Sequence, residues 1–272
     1  MTDCPPPMLP AAALRRRGWL LWAGLGWVGA ARADEFEGDP FRSFPWPDLR
    51  REFLGATARV RFDERVRVQG PTFAEDPMNV PIAVRVDEAL GPIEEIVVLV
   101  DRNPIRKVLG FYPRPALPAI AFRFKLEQAS PVRAAARAAD GTWWVGGTWV
   151  DSAGGGCTVP GAGRKDGSWA RSLGEVNARL FEAAPGAGGG LSRLRVRISH
   201  PMDTGLAAGI PAFYVNRLSV RDGDGFELAR LQTHEPVSEN PMFSFDFARP
   251  PRGGVQVVGS DNNGNRIDAR VP

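Results

Sequence analysis

Glycine and proline set the first limit on what this chain can become. It carries 31 glycines and 25 prolines among 272 residues. They follow no collagen period, so the backbone is interrupted too often for long helices and suits many short strands joined by turns. Hydrophobic residues make up 43% of the chain and charged residues 24%, the balance of a globular protein rather than a disordered one. An all-β fold is the reading that fits.

The N-terminus obeys a different logic. Arg15-Arg16-Arg17 form a basic lead, Gly18 to Ala30 is an uncharged and mostly apolar run, and Ala31-Arg32-Ala33 offers a small-x-small cleavage site before Asp34. Residues 1–33 therefore read as a secretory signal peptide, with an apolar run too short for a comfortable membrane span. Arg16-Arg17-Gly18-Trp19-Leu20 approximates the twin-arginine export pattern. Once the four arginines and one aspartate of this leader are removed, basic and acidic side chains balance at 30 each. A neutral mature surface gives no reason to expect nucleic acid or a membrane as partner. Cys4 leaves with the leader, so Cys157 remains as a lone thiol in an oxidising compartment, which calls for an explanation.

From Asp34 to residue 56 the chain reads as a lead followed by a short helix, with Asp48 as cap, Leu49 and Phe53 on one face and Gly55 as terminator. Residues 57–151 alternate with period two and break into strands at Val80 to Val86, Ile93 to Val100, Val108 to Tyr112, Ile120 to Leu126, Val132 to Ala138 and Thr142 to Val150. Ala134-Ala135-Ala136 favours helix by propensity, but the Asp140-Gly141 turn and the Trp/Val-rich run after it make a hairpin. Residues 152–190 are a glycine-rich linker, in which Ser168 caps a helix carrying Trp169, Leu173, Val176 and Leu180. Residues 191–272 return to strands, with Leu194, Val196 and Ile198 alternating with Arg193, Arg195 and Arg197. The expected architecture is two immunoglobulin-like β-sandwich domains joined by a Gly-rich linker containing a short helix.

Little in the sequence suggests catalysis. His200 and His234 sit at a strand end and in a loop, where turn or edge hydrogen bonding explains them. Two histidines and one cysteine form no spaced metal motif, and no phosphate-binding loop is present. Trp143, Trp144 and Trp149 fit a sandwich core or its rim. No catalytic residue, metal or cofactor is expected. Cys157 is singular. Gly154, Gly155 and Gly156 before it impose almost no φ restriction, which predicts a thiol on a mobile, exposed arm. With Arg164 and Lys165 as its nearest cations in sequence, nothing local lowers its pKa. Such an arm suits a tethered attachment point. It suits equally a plain linker whose cysteine is incidental or pairs between molecules.

Several ordered motifs carry a resemblance. Ala74-Glu75-Asp76 precedes Val80-Pro81-Ile82; Asp101-Arg102-Asn103-Pro104 and Gly155-Gly156-Cys157 follow. His200-Pro201-Met202-Asp203-Thr204-Gly205 leads to Ile210-Pro211-Ala212-Phe213-Tyr214-Val215-Asn216, Ser238-Glu239-Asn240-Pro241 and Asp261-Asn262-Asn263-Gly264. In these the chain resembles SoxY and SoxZ of periplasmic sulfur oxidation fused in one polypeptide, and is most similar to the fused SoxYZ-like carriers associated with quinoprotein dehydrogenases. The resemblance implies a periplasmic, non-enzymatic carrier that holds a sulfur or related intermediate covalently on Cys157 at the end of the Gly154–Gly156 arm. Its implied partners are c-type cytochromes, sulfur-oxidation enzymes or a quinoprotein dehydrogenase. A non-catalytic accessory module for such a dehydrogenase or cytochrome, with a dispensable cysteine, is the alternative. Two departures stand out: SoxY ends at Gly-Gly-Cys-Gly-Gly, whereas Thr158-Val159-Pro160 and a second domain follow here, and Phe213 stands where SoxZ-type chains often have histidine.

Overall fold

A computed structural model describes residues 36–182 and 191–271. The expected signal peptide lies outside the described residues, and Asp34–Pro272 forms one compact unit. The strands are β1 (Val60–Phe62), β2 (Val66–Gln69), β3 (Phe73–Ala74), β4 (Val80–Val86), β5 (Ile93–Val100), β6 (Lys107–Pro113), β7 (Ala116–Phe124), β8 (Ser130–Ala138) and β9 (Trp143–Ser152) in the first half. After the linker come β10 (Val176–Glu182), β11 (Ser192–Ile198), β12 (Val215–Asp222), β13 (Glu227–Thr233), β14 (Met242–Phe247), β15 (Val255–Asp261) and β16 (Arg266–Val271).

The fold is mostly β, as expected, with two immunoglobulin-like sandwich halves. The halves share both of their sheets. One sheet runs β1-β9-β8-β5-β6-β13-β12-β15-β16, with β3 also on β9; the other runs β10-β11-β14-β7-β4-β2. The joints are antiparallel ladders, β6 on β13 (Phe111 opposite Leu231) and β7 on β14 (Ile120 opposite Phe245). Each half thereby covers the edge strands the other would leave open to aggregation. One apolar core fills the space between the sheets across both halves, with the rings of Phe111 and Phe245 6.0 Å apart.

Local sequence explains most elements. Val80, Ile82, Val84 and Val86 point into the core while Pro81 and Arg85 are exposed, the alternation a half-buried strand requires. Ala134-Ala135-Ala136 lies within β8, so pairing with β5 and β9 outweighs helix propensity. The lead forms α1 (Trp46–Leu49), which continues as a turn of π-helix to Leu54 and stops at Gly55. Asp48 does not cap it; its carboxylate pairs with Arg51. The linker helix is shorter and earlier than the spacing predicts. It is α2 (Ala162–Asp166) with a 3₁₀ turn over Ser168–Arg171, and Val176 and Leu180 belong to β10, paired with Ile198 and Leu194 of β11. Residues four apart share a face in strands as well as in helices, and the unpaired edge of β11 decides between them.

The lead is fastened to the outer face of the larger sheet by a buried charge cluster. The Arg133 guanidinium makes two bidentate pairs, with Asp39 (2.6 and 2.8 Å) and with Asp101 (both 2.8 Å), and all three side chains are 0% exposed. Trp46 lies 4.5 Å beneath the same guanidinium. Removing one partner strands a buried charge. Arg133→Met is therefore expected to lower unfolding stability by roughly 3–5 kcal/mol, read from urea denaturation midpoints; a loss below about 1 kcal/mol would show that the cluster does not hold the lead.

Candidate functional site

The chain segment leaving β9 crosses to the end of β7, and there the glycines have a definite purpose. Gly154 and Gly155 take positive φ (97° and 85°), a region costly for residues with a Cβ. Gly156 packs so closely that a Cβ would strike the carbonyl oxygens of Pro77 and Leu126, the second at 2.6 Å. The arm is also hydrogen-bonded along its length. The Gly155 amide donates to Glu127 O (3.1 Å) and the Gly156 amide to Leu126 O (3.2 Å). The Cys157 amide donates to Glu127 Oε2 at 2.8 Å, and the Thr158 hydroxyl to Glu127 Oε1 at 3.1 Å.

Cys157 is consequently buried, 1% exposed, with Sγ 3.5 Å from Lys125 O. This corrects the expectation of a mobile, exposed thiol on a flexible Gly154-Gly155-Gly156 arm: the same glycines that loosen an isolated chain allow the close backbone approach that seats it. Burial pushes the thiol pKa up to about 12, with the negative charge of Glu127 adding to the rise and Lys125 opposing it. The thiolate is the nucleophilic form, so the seated sulfur is chemically quiet.

The second half closes over this seat. The Thr204 hydroxyl donates to Cys157 O at 2.6 Å. Asp203 pairs with Arg164 of α2, and the Gly163 amide donates to Glu239 Oε1 at 2.8 Å. The Lys125 ammonium donates to Met202 O. Burial lowers the Lys125 pKa, with Asp203, Cys157 and Glu239 working against the shift. Met202 and Asn240 both adopt left-handed backbone angles (φ 50° and 48°), strained conformations that persist only where the surroundings impose them.

The sequence motifs meet at this place. Asn103 Nδ2 donates to Lys125 O at 2.7 Å, and its Oδ1 accepts from the Glu127 amide at 2.8 Å, propping the strand end that seats the arm. The Ser238 hydroxyl crosses to Met78 O at 2.7 Å. His200 Nδ1 accepts from the Met202 amide at 3.1 Å, Nε2 lies 3.4 Å from Asp261 Oδ2, and the Phe213 ring packs against it at a tilt of 54°, 4.4 Å between centroids. Burial holds the His200 pKa down at about 4 despite Asp261, so the ring is neutral and orders the 200–205 turn. Neither histidine hydrogen-bonds Cys157; His234 is in the loop after β13, also held near 4 by burial. Lys125, Glu127 and Thr204 are the functional neighbours that sequence reasoning missed, because each lies 30 or more positions from Cys157.

Comparison with known proteins divides the chain at the same point. Residues 50–157 match the family described as sulfur oxidation protein SoxY, and residues 182–272 match sulphur oxidation protein SoxZ. The first match ends on Cys157. A solved structure of the sulfur carrier protein SoxY from Chlorobium limicola f thiosulfatophilum is similar at 16% identity and a TM-score of 0.34, covering 39% of this chain and 90% of that one. No curated protein matches.

Gly156→Ala should unseat the arm and raise the rate of Cys157 alkylation by iodoacetamide on the order of 10²-fold, while a rate equal to the parent's would show that the close approach does not matter. His200 folds neutral with a depressed pKa, so the unfolded chain takes up its proton first as pH falls from about 6.5 toward 4, and stability drops over that window. The loss in unfolding free energy between pH 7 and pH 5 should shrink by about 1–2 kcal/mol in His200→Gln, whatever that variant's absolute stability; an unchanged loss would contradict the burial assignment.

Proposed function

Starting from a chain that belongs to the fused SoxYZ-like sulfur-oxidation carriers, we propose that its cargo is a sulfur intermediate bonded to Cys157 and that the arm alternates between a seated and a released state. The observation that carries this reading is the convergence of both halves on one cysteine: Glu127 of the SoxY-like half and Thr204 of the SoxZ-like half each hold Cys157 itself. A dispensable cysteine has no need of such a seat.

The family works with sulfur-oxidation enzymes rather than as a catalyst. Joining thiosulfate sulfur to the Cys157 thiolate forms an S–S bond and releases two electrons, so loading needs a partner that accepts them, such as a c-type cytochrome; a quinoprotein dehydrogenase is the other candidate acceptor. The seated sulfur has neither the space nor the charge state for that reaction. Added sulfur atoms would meet a close-packed wall, and a pKa near 12 leaves almost no thiolate at neutral pH. Release would restore an ordinary thiol pKa and expose it to the partner's active site. Tethering would then keep the intermediate at high effective concentration through successive visits, and reseating would protect the bare thiol from oxidation in the periplasm.

Loaded protein isolated from its native periplasm should show Cys157-dependent mass additions of sulfane, sulfite or thiosulfate size, absent in Cys157→Ser. If Cys157→Ser keeps both partner binding and the phenotype of the parent, the protein is instead an accessory module. Thr204→Val removes the hydroxyl that holds the Cys157 carbonyl, and should speed Cys157 labelling about 2- to 13-fold, the equivalent of one lost hydrogen bond, without changing the mass of the adduct.

A further inference from the structure

The smaller sheet carries a charge pattern that the site does not use. Its outward positions hold seven exposed arginines: Arg67 on β2, Arg85 on β4, Arg123 on β7, Arg193, Arg195 and Arg197 on β11, and Arg179 on β10. Strand register brings them together, with Arg67 opposite Arg85 and Arg179 opposite Arg195. Asp246 is the one acidic residue in the middle of this face, and it is shared by Arg193 (2.6 Å) and Arg85 (3.6 Å). Among the described residues, Arg123, Arg179, Arg195 and Arg197 have no carboxylate partner. Such a concentration is notable in a chain whose charges balance from Asp34 onward.

We infer that this face docks a protein partner that presents an acidic surface. All seven cations are arginine, whose planar fork pairs with carboxylates in bidentate fashion and stacks on apolar and aromatic groups. Between Arg123 and Arg195 the face is apolar, with a cleft of about 440 Å³ over Pro81, Ala83, Ala121 and Met242. Phe181 stands exposed between Arg179 and Arg195, at 4.9 and 5.6 Å from their guanidinium carbons. Arginine, methionine and aromatic side chains around an apolar floor are the composition of protein interfaces. A phosphate backbone or lipid headgroup layer would have no use for that floor.

The face also reaches the arm. Arg123 and Arg197 line one depression with Ala162 of α2 and with Glu239, the carboxylate that holds Gly163 six residues beyond Cys157. A carboxylate-bearing partner seated on Arg123 and Arg197 would place its charge beside Glu239 and stand next to the segment whose release frees the sulfur. This second step rests on the carrier reading; the docking itself does not.

The test uses a fluorescein-labelled 20-residue oligoglutamate as probe, with binding followed by fluorescence anisotropy at low salt. Arg123→Glu/Arg195→Glu/Arg197→Glu should weaken binding at least tenfold, and Arg123→Gln/Arg195→Gln/Arg197→Gln by an intermediate factor, with melting curves like the parent's because all three side chains are exposed. The control triple Arg217→Glu/Arg266→Glu/Arg270→Glu, on the other sheet, should change binding less than threefold. Equal losses in the two charge-reversed triples would overturn the inference, as would tighter binding to phosphatidylserine vesicles or to duplex DNA at the same salt. The same titration with Cys157→Ser should be unchanged, so the fate of the docking surface is read separately from that of the carrier assignment.

Discussion

Both sheets of this protein are continuous across the boundary between its halves, and the geometry of the cysteine seat depends on that continuity. The β7–β14 ladder fixes where β7 ends, and the three residues after it, Lys125, Leu126 and Glu127, are the ones that grip the arm. The same ladder sets the approach to β14, where Ser238, Glu239 and Asn240 reach back to Met78, Gly163 and His200. If the halves were loosely tethered domains, a hydroxyl from one could not hold the carbonyl of Cys157 in the other. A shared core makes the seat as stiff as a single-domain interior, and this stiffness permits strained angles at Met202 and Asn240.

Glycine in such an arm has two opposed roles. In the seated state Gly156 is small enough to lie against backbone, and Gly154 and Gly155 supply turns that other residues resist. Out of the seat the same three residues cost little to move because they have no side chains to extract. On the carrier reading, the hydrogen bonds to Glu127 and Thr204 would set how often the arm leaves. Tuning of this kind needs only modest energies, since each net hydrogen bond contributes about 0.5–1.5 kcal/mol. On the same reading, charges around the seat would add a route for control from outside: Asp203–Arg164 and Glu239 fasten α2, which begins five residues after the cysteine, and the one buried residue of α2 is Gly163.

Much of the fold was legible in the sequence because period-two alternation is a local property. β4 and β5 begin and end where the apolar pattern does, and the alternation of Arg193, Arg195 and Arg197 with Leu194, Val196 and Ile198 is enough to mark the arginines as the outward side of β11. β10 was not legible as a strand, since Val176 and Leu180 satisfy a helical spacing and a strand spacing alike, and only the neighbouring edge of β11 settles it. The merging of the halves was hidden for a similar reason: nothing in β6 or β7 announces that its partner lies more than a hundred residues away. Cys157 and its glycines were conspicuous, but their burial was not. The groups that bury them, Pro77, Leu126, Glu127 and Thr204, are brought together by tertiary structure, and composition around the cysteine points the other way.

Amide hydrogen exchange at Gly155, Gly156 and Cys157, compared between the bare thiol and protein carrying a persulfide on Cys157, addresses the seated-and-released arm most directly. Slow exchange at all three amides is expected in the bare form, and near-unprotected exchange in the loaded form. Equal protection in both would mean that the sulfur never leaves its seat, and no protection in either would mean that the seat does not hold.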